Sequence, residues 1–165
     1  MLGKSLSLAF PDNPYYWLGH RITDLSTAEN CAVVVREPLY SIASWLDCNN
    51  DRREDAVERI VDWHIRYMKG VVKAKDNAIV FDLSDLSVNP FACTVAFSER
   101  FGFDKPNPFD VDEVSAWLTE NMPAHFLRET SASKESRYED VLSNHRYEES
   151  LEAYEQVLAL TVKFD

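Results

Sequence analysis

Two short apolar runs without polar alternation constrain this chain most: Cys31-Ala32-Val33-Val34-Val35 and Asn77-Ala78-Ile79-Val80-Phe81. A strand with one wet face alternates apolar and polar side chains. A continuous run, rich in β-branched residues, reads as a strand covered on both faces, as in a parallel sheet. Helix-patterned segments lie between the two runs, and parallel strands need such crossovers. The expected fold class is α/β: a small, mostly parallel sheet of two or three strands with flanking helices. Its strands are expected at 31–36 and 78–82, as neighbours.

The connecting segments follow from local chemistry. Pro38 suits the first turn of a helix, and Leu39, Ile42, Ala43 and Leu46 recur at helical spacing over 39–48. A second helix is expected over 52–69, with Asp51 and Glu54 at capping-box spacing and Gly70 ending or fraying it. Val57, Ile60, Val61, His64, Ile65 and Met68 form its apolar stripe. Asp55/Arg59 and Asp62/Arg66 are acid-before-base pairs on its outer face. Leu6 to Phe10 opens a short helix before Pro11, Tyr15–Leu18 is a strand or aromatic loop, and Ser26–Glu29 suggests a helical turn. Residues 82–87 read as a turn. Pro90 starts a helix that Gly102 stops, and Asp110 and Glu113 cap another, ended by Pro123. Residues 128–144 are polar and read as a mobile loop. Tyr147, Leu151, Tyr154 and Leu158 mark a final amphipathic helix. This gives one domain: an α/β core over 1–104 and a helical C-terminal extension over 105–165.

Composition narrows the function classes. A net charge of −11 over 165 residues disfavours general nucleic-acid binding, because a phosphate backbone would be repelled over most of the surface. No apolar run approaches the roughly 20 residues of a membrane span, and the N-terminus lacks a secretory cleavage pattern. Cys31, Cys48 and Cys93 are odd in number and form no CxxC, so a disulfide framework is not expected and a reducing, cytoplasmic setting is favoured. His20, His64, His125 and His145 are scattered, and no metal site is expected.

Chemistry concentrates where the first strand ends. Val33-Val34-Val35 runs into Arg36, then into a Pro38-initiated helix with Ser44 two turns along. In a parallel sheet, ligands bind at the C-terminal edge of the strands. Arg36 offers a planar fork of donors, and the helix N-terminus adds N–H groups with positive partial charge. An Arg there also serves as a salt-bridge partner or a solvated charge, and a helix Ser often bonds its own backbone.

The segment Arg36-x-Pro38-x5-Ser44 after a hydrophobic strand resembles the sulfotransferase family of the P-loop superfamily. Further matches follow in order over roughly 16–104. Trp63 and Tyr67 look like aromatic helix positions of that family. Val80 to Pro90 is similar to its strand-Y-E-D-L-x-x-x-P segment, with Ser84 where Glu is usual. Phe97 to Gly102 looks like its closing helix. The resemblance implies that Arg36 and Ser44 bind the 3′-phosphate of the sulfate donor PAPS. It also implies that Lys4 and Ser5, in Gly3-Lys4-Ser5-Leu6, represent the end of the 5′-phosphate loop. His20 stands where some members carry a catalytic His. The family's first strand and most of that loop have no counterpart here, so the chain resembles a truncated sulfotransferase.

Two function classes follow. One is a PAPS-dependent enzyme transferring a sulfuryl group to a hydroxyl or amine, with His20 as base. The other, favoured by the missing first unit, is a non-catalytic or weakly active interaction or assembly subunit, of viral origin for instance. It would keep the scaffold and bind a protein partner through an acidic or aromatic surface, with no membrane or general nucleic-acid partner.

Overall fold

A computed structural model describes residues 2–10, 25, 30–48, 53–121 and 132–164. The expected parallel pair forms. β1 (Cys31–Val35) runs beside β2 (Ala78–Asp82) in parallel, with Cys31 opposite Ala78 and Val35 opposite Asp82. Two helices make the crossover: α2 (Pro38–Cys48) and α3 (Ala56–Lys73). A single parallel bridge, Val80 to Thr161, brings the C-terminal segment to the free side of β2, where Val162 N–H donates to the Val80 carbonyl at 3.0 Å.

Both faces of the pair are covered, which explains the missing alternation. Val33, Val35, Ala78 and Val80 pack against Met68 and Val71 of α3 and against Ala153, Tyr154 and Val157 of the last helix. Ile79 and Phe81 face the other way. They meet Leu6 of α1 (Leu2–Ala9), Leu86 of α4 (Leu83–Val88), and Cys93 and Phe97 of α5 (Pro90–Phe101). Gly102 stops α5 in the left-handed conformation, φ 70°, which only glycine adopts without a steric cost. A third cluster joins Ile42 and Leu46 of α2 to Ile60, Val61 and Ile65 of α3.

Past the linker after Gly102, Asp110 caps α6 (Val111–Asn121), its carboxylate accepting from the Asp112 N–H at 3.1 Å. The segment expected as a loop over 128–144 instead holds α7 (Ala132–Leu142). Its apolar residues are few, but Val141 is fully buried against α2 and α3, and Tyr138 meets Tyr40 edge-on at 5.7 Å. Tertiary burial rather than periodicity stabilises this helix. The final helix, α8 (Tyr147–Leu158), lies in the core on α3 and the sheet. The C-terminal third thus completes the core begun by residues before 104.

Several boundaries differ from expectation: α1 spans Leu2–Ala9 rather than opening at Leu6, and α2 begins at Pro38 rather than Leu39. α3 runs from Ala56 to Lys73 rather than over 52–69, and it continues through Gly70 because Met68 and Val71 on either side are both buried. Residues 83–88 form a helical turn, not a bare turn, because Asp82 caps it. β1 ends at Val35, leaving Arg36 free of the ladder. The Tyr15–Leu18 and Ser26–Glu29 readings, Asp51 and Pro123 lie outside the described residues.

α3 and α8 are joined by two kinds of polar contact. At the surface, Arg146 reaches Asp62 at 2.6 Å and Glu149 at 2.8 Å. Lys69 reaches Glu149 at 2.7 Å, and Arg66 pairs with Asp62 at 2.9 Å as the spacing anticipated. Inside, His64 and Ser150 are both buried and share a hydrogen bond of 2.8 Å through Nδ1 and Oγ. His64 Nε2 has no hydrogen-bond partner among the described residues. An imidazolium there would be desolvated, with an unanswered N–H, and burial lowers the His64 pKa from 6.5 to about 4.

Two stability predictions follow from this packing. Ile60→Ala removes buried methyl groups between α2 and α3 and should cost about 2–4 kcal/mol in urea denaturation. The His64 effect has a definite sign. The unfolded chain binds the proton more readily, so the neutral form's stabilisation is complete above pH 6.5. It is lost as pH falls toward about 4, amounting to roughly 3 kcal/mol. Unfolding free energy measured between pH 7 and pH 4 should fall less steeply in His64→Leu than in the unaltered chain.

Candidate functional site

The parallel register brings two strand ends to one edge. Val35 and Asp82 are opposite each other, so Arg36 leaves β1 beside the first turn after β2. Pro38 then sets the first turn of α2, as its fixed φ favours. The resulting cavity, about 540 Å³, is lined by Arg36 and Glu37 from the β1 side and by Asp82, Leu83, Ser84 and Ser87 from the β2 side. Tyr154 of α8 closes it.

Asp82 organises this edge. Its position in the β2 alternation matches that of Val80, so it faces α8. Its Oδ1 accepts from the Ser84 N–H at 2.8 Å and also from the Ser84 hydroxyl. Its Oδ2 accepts from the Tyr154 hydroxyl at 3.2 Å. Partial burial works against the Asp82 charge. The Ser84 hydroxyl and N–H, the Tyr154 hydroxyl and the charge of Lys163 together outweigh it and hold the carboxyl below its ordinary pKa. Burial, and then the charge of Asp82, push the Tyr154 hydroxyl up to about 12, so it remains a donor at neutral pH.

Arg36 is exposed, with its guanidinium carbon 5.1 Å from the centre of the Tyr40 ring. That cation–π contact, with Tyr138 edge-on beyond, orients the fork without neutralising it. Arg36 makes no ion pair with any described residue. The described lining therefore carries one guanidinium and two carboxylates, with no histidine or cysteine among its described residues.

Among the described residues singled out from the sequence, only Arg36 is in the described lining of the cavity. Arg36 lines the cavity, whereas Ser44 is half-buried two turns along α2 and is absent from the described lining. Ser5 is fully buried on α1 and is likewise absent from the described lining. Lys4 belongs to α1, its side chain outside the described part, and His20 lies outside the described residues. Trp63 and Tyr67 stack on each other along α3 at 5.2 Å. Sequence reasoning passed over Glu37, Asp82, Ser87 and Tyr154 as site residues. Asp82 alone had a local signal: an acidic residue ending an apolar strand, two residues before a serine, is a helix-cap pattern. Tyr154 had none, because only the packing of α8 brings it to this edge.

Other centres are structural. Burial, then the charge of Asp85, raise the Cys93 thiol to about 12, leaving it inert at neutral pH. A smaller cavity of about 290 Å³ lies over Asp55, Glu58, Arg59 and Asp62, where Arg146 enters and pairs with Asp62. No group of three or more His, Cys, Asp or Glu among the described residues could hold a metal ion. No helix among them is long and apolar enough to cross a membrane. No protein-family model, curated protein or solved structure matches this chain.

Asp82 links the site to the fold, so its removal is measurable without a ligand. Asp82→Ala removes the α4 cap and the acceptor of Tyr154 and should destabilise by about 1–3 kcal/mol. Asp82→Asn keeps a carbonyl acceptor and should recover at least half of that loss in the same urea titration.

Proposed function

We propose that this chain is a non-catalytic binding or assembly subunit on a sulfotransferase-like α/β scaffold, using the C-terminal edge of β1 and β2 as its recognition site. The observation that carries this reading is the charge of that edge. Arg36 shares the described lining of the cavity with two carboxylates, one of them held ionised by its hydrogen bonds. A sulfate donor presents phosphates, and such a ligand needs an excess of cationic donors rather than a deficit. The burial of Ser5 supports the same reading, since its side chain is inaccessible to solvent and absent from the described lining of the cavity.

In this reading the scaffold supplies shape and the strand-end cavity, and activity resides in an assembly with a protein partner. The competing reading, a PAPS-dependent sulfotransferase, draws on one observation: β1 passes through Arg36 directly into the Pro38 start of α2, the arrangement a 3′-phosphate site would use.

Labelled PAPS and a panel of hydroxyl and amine acceptors separate the two. The expected result is no transfer above the protein-free rate. Loss of a single donor at the developing charge typically costs about 10²–10³ in rate, and the Ser5 hydroxyl is buried outside the described lining. Robust turnover that Lys4→Ala abolishes would overturn the proposal and establish the enzyme.

A further inference from the structure

The strand-end cavity contains charged groups of both signs that do not satisfy each other. Arg36 and Glu37 both line it, yet neither makes an ion pair with any described residue. We propose that this cavity binds a small zwitterion, a molecule with a primary ammonium group at one end and a carboxylate or sulfonate at the other. The inference names the ligand class of the site described above and rests on its reading as a binding site.

Each group around the cavity has a defined capacity. The Arg36 fork is set over the Tyr40 ring, which leaves its N–H donors for an anion. Asp82 spends both lone pairs of Oδ1 on Ser84 but receives only the Tyr154 hydroxyl at Oδ2, so one acceptor position remains there. The Ser84 hydroxyl donates to Asp82, and the Ser87 hydroxyl donates to the Ser84 carbonyl at 2.7 Å. With their protons committed, both hydroxyls offer only lone pairs to a ligand. The β2 side is thus an acceptor surface, joined by the Glu37 carboxylate, and the Arg36 side is a donor surface.

That division selects the ligand. A purely anionic molecule would engage Arg36 and meet two carboxylates. A diamine would engage the carboxylates and meet Arg36. An ammonium group with three N–H donors matches the Asp82, Glu37 and serine oxygens, while an anion at the other end completes Arg36. The volume, about 540 Å³, lies within the range of small-molecule sites.

Isothermal titration of the whole chain with β-alanine, 4-aminobutyrate, 6-aminohexanoate and taurine tests the inference, with propionate and putrescine as singly functional controls. The graded chain lengths sample the separation of the two surfaces. At least one zwitterion is expected to bind one-to-one, at least about tenfold more tightly than either control. Arg36→Gln and Glu37→Gln each remove one charge-assisted contact and should weaken that binding roughly ten- to a hundredfold. Both residues are exposed, so an unchanged thermal transition will verify that the variants fold. Absence of binding by every zwitterion, equal binding of a control, or full affinity in both variants overturns the inference and leaves the non-catalytic reading standing. Conversely, sulfation of the bound amine when PAPS is added overturns the non-catalytic reading and leaves the zwitterion site intact.

Discussion

The parallel pairing of β1 with β2 is the constraint on which the rest depends. Two parallel strands cannot be joined by a hairpin, so a crossover of helices must intervene. A two-stranded ribbon also has little stability of its own and must be buried on both faces. The chain meets both requirements with helices distant in sequence. α3 and α8 cover one face, while α1, α4 and α5 cover the other. Unfavourable contacts at either face would release the pair and the cavity at its end together.

The same pairing creates the functional edge. Strand alternation turns Asp82 toward α8, and the helix that follows takes its cap from that carboxylate. Tyr154 then spans from the core to Asp82, so one residue is at once strand end, helix cap and cavity wall. The charge on Asp82 survives partial burial because its donors outweigh desolvation. Arg36, by contrast, is held by a ring face and keeps its charge available to solvent. This difference between a carboxylate largely engaged by its own donors and a guanidinium left open gives the edge its chemical polarity.

How much was legible in the sequence varies with the range of the interaction. β1, β2, α2, α3 and α5 were readable because their apolar patterns, Pro38, Pro90 and Gly102 act within a few residues. His64 was legible as part of the apolar stripe of α3, and it is buried there against Ser150. α7 was misread because eleven mostly polar residues carry no stripe, and its stability comes from Val141 and Tyr138 meeting α2. Gly70 was misread as a stop because intrinsic propensity penalises glycine by only about 1 kcal/mol. Burial of Met68 and Val71 exceeds that. At the site, Arg36 was legible from its place after an apolar strand, and Ser44 was expected beside it, but the described lining of the cavity does not include Ser44.

By itself, the sequence determined the class of this protein: an acidic α/β chain with two buried parallel strands and a cation at the end of the first. Those properties follow from composition and short-range periodicity, which need no knowledge of distant partners. Only the tertiary structure decided which groups Arg36 would face. Glu37 is its chain neighbour, but Asp82, Ser84, Ser87 and Tyr154 reach it through strand register and the docking of α8. The physical reason is that a site's electrostatics depend on distances across the fold. A carboxylate and a tyrosine 72 residues apart acquire a shared hydrogen bond only when the core between them closes.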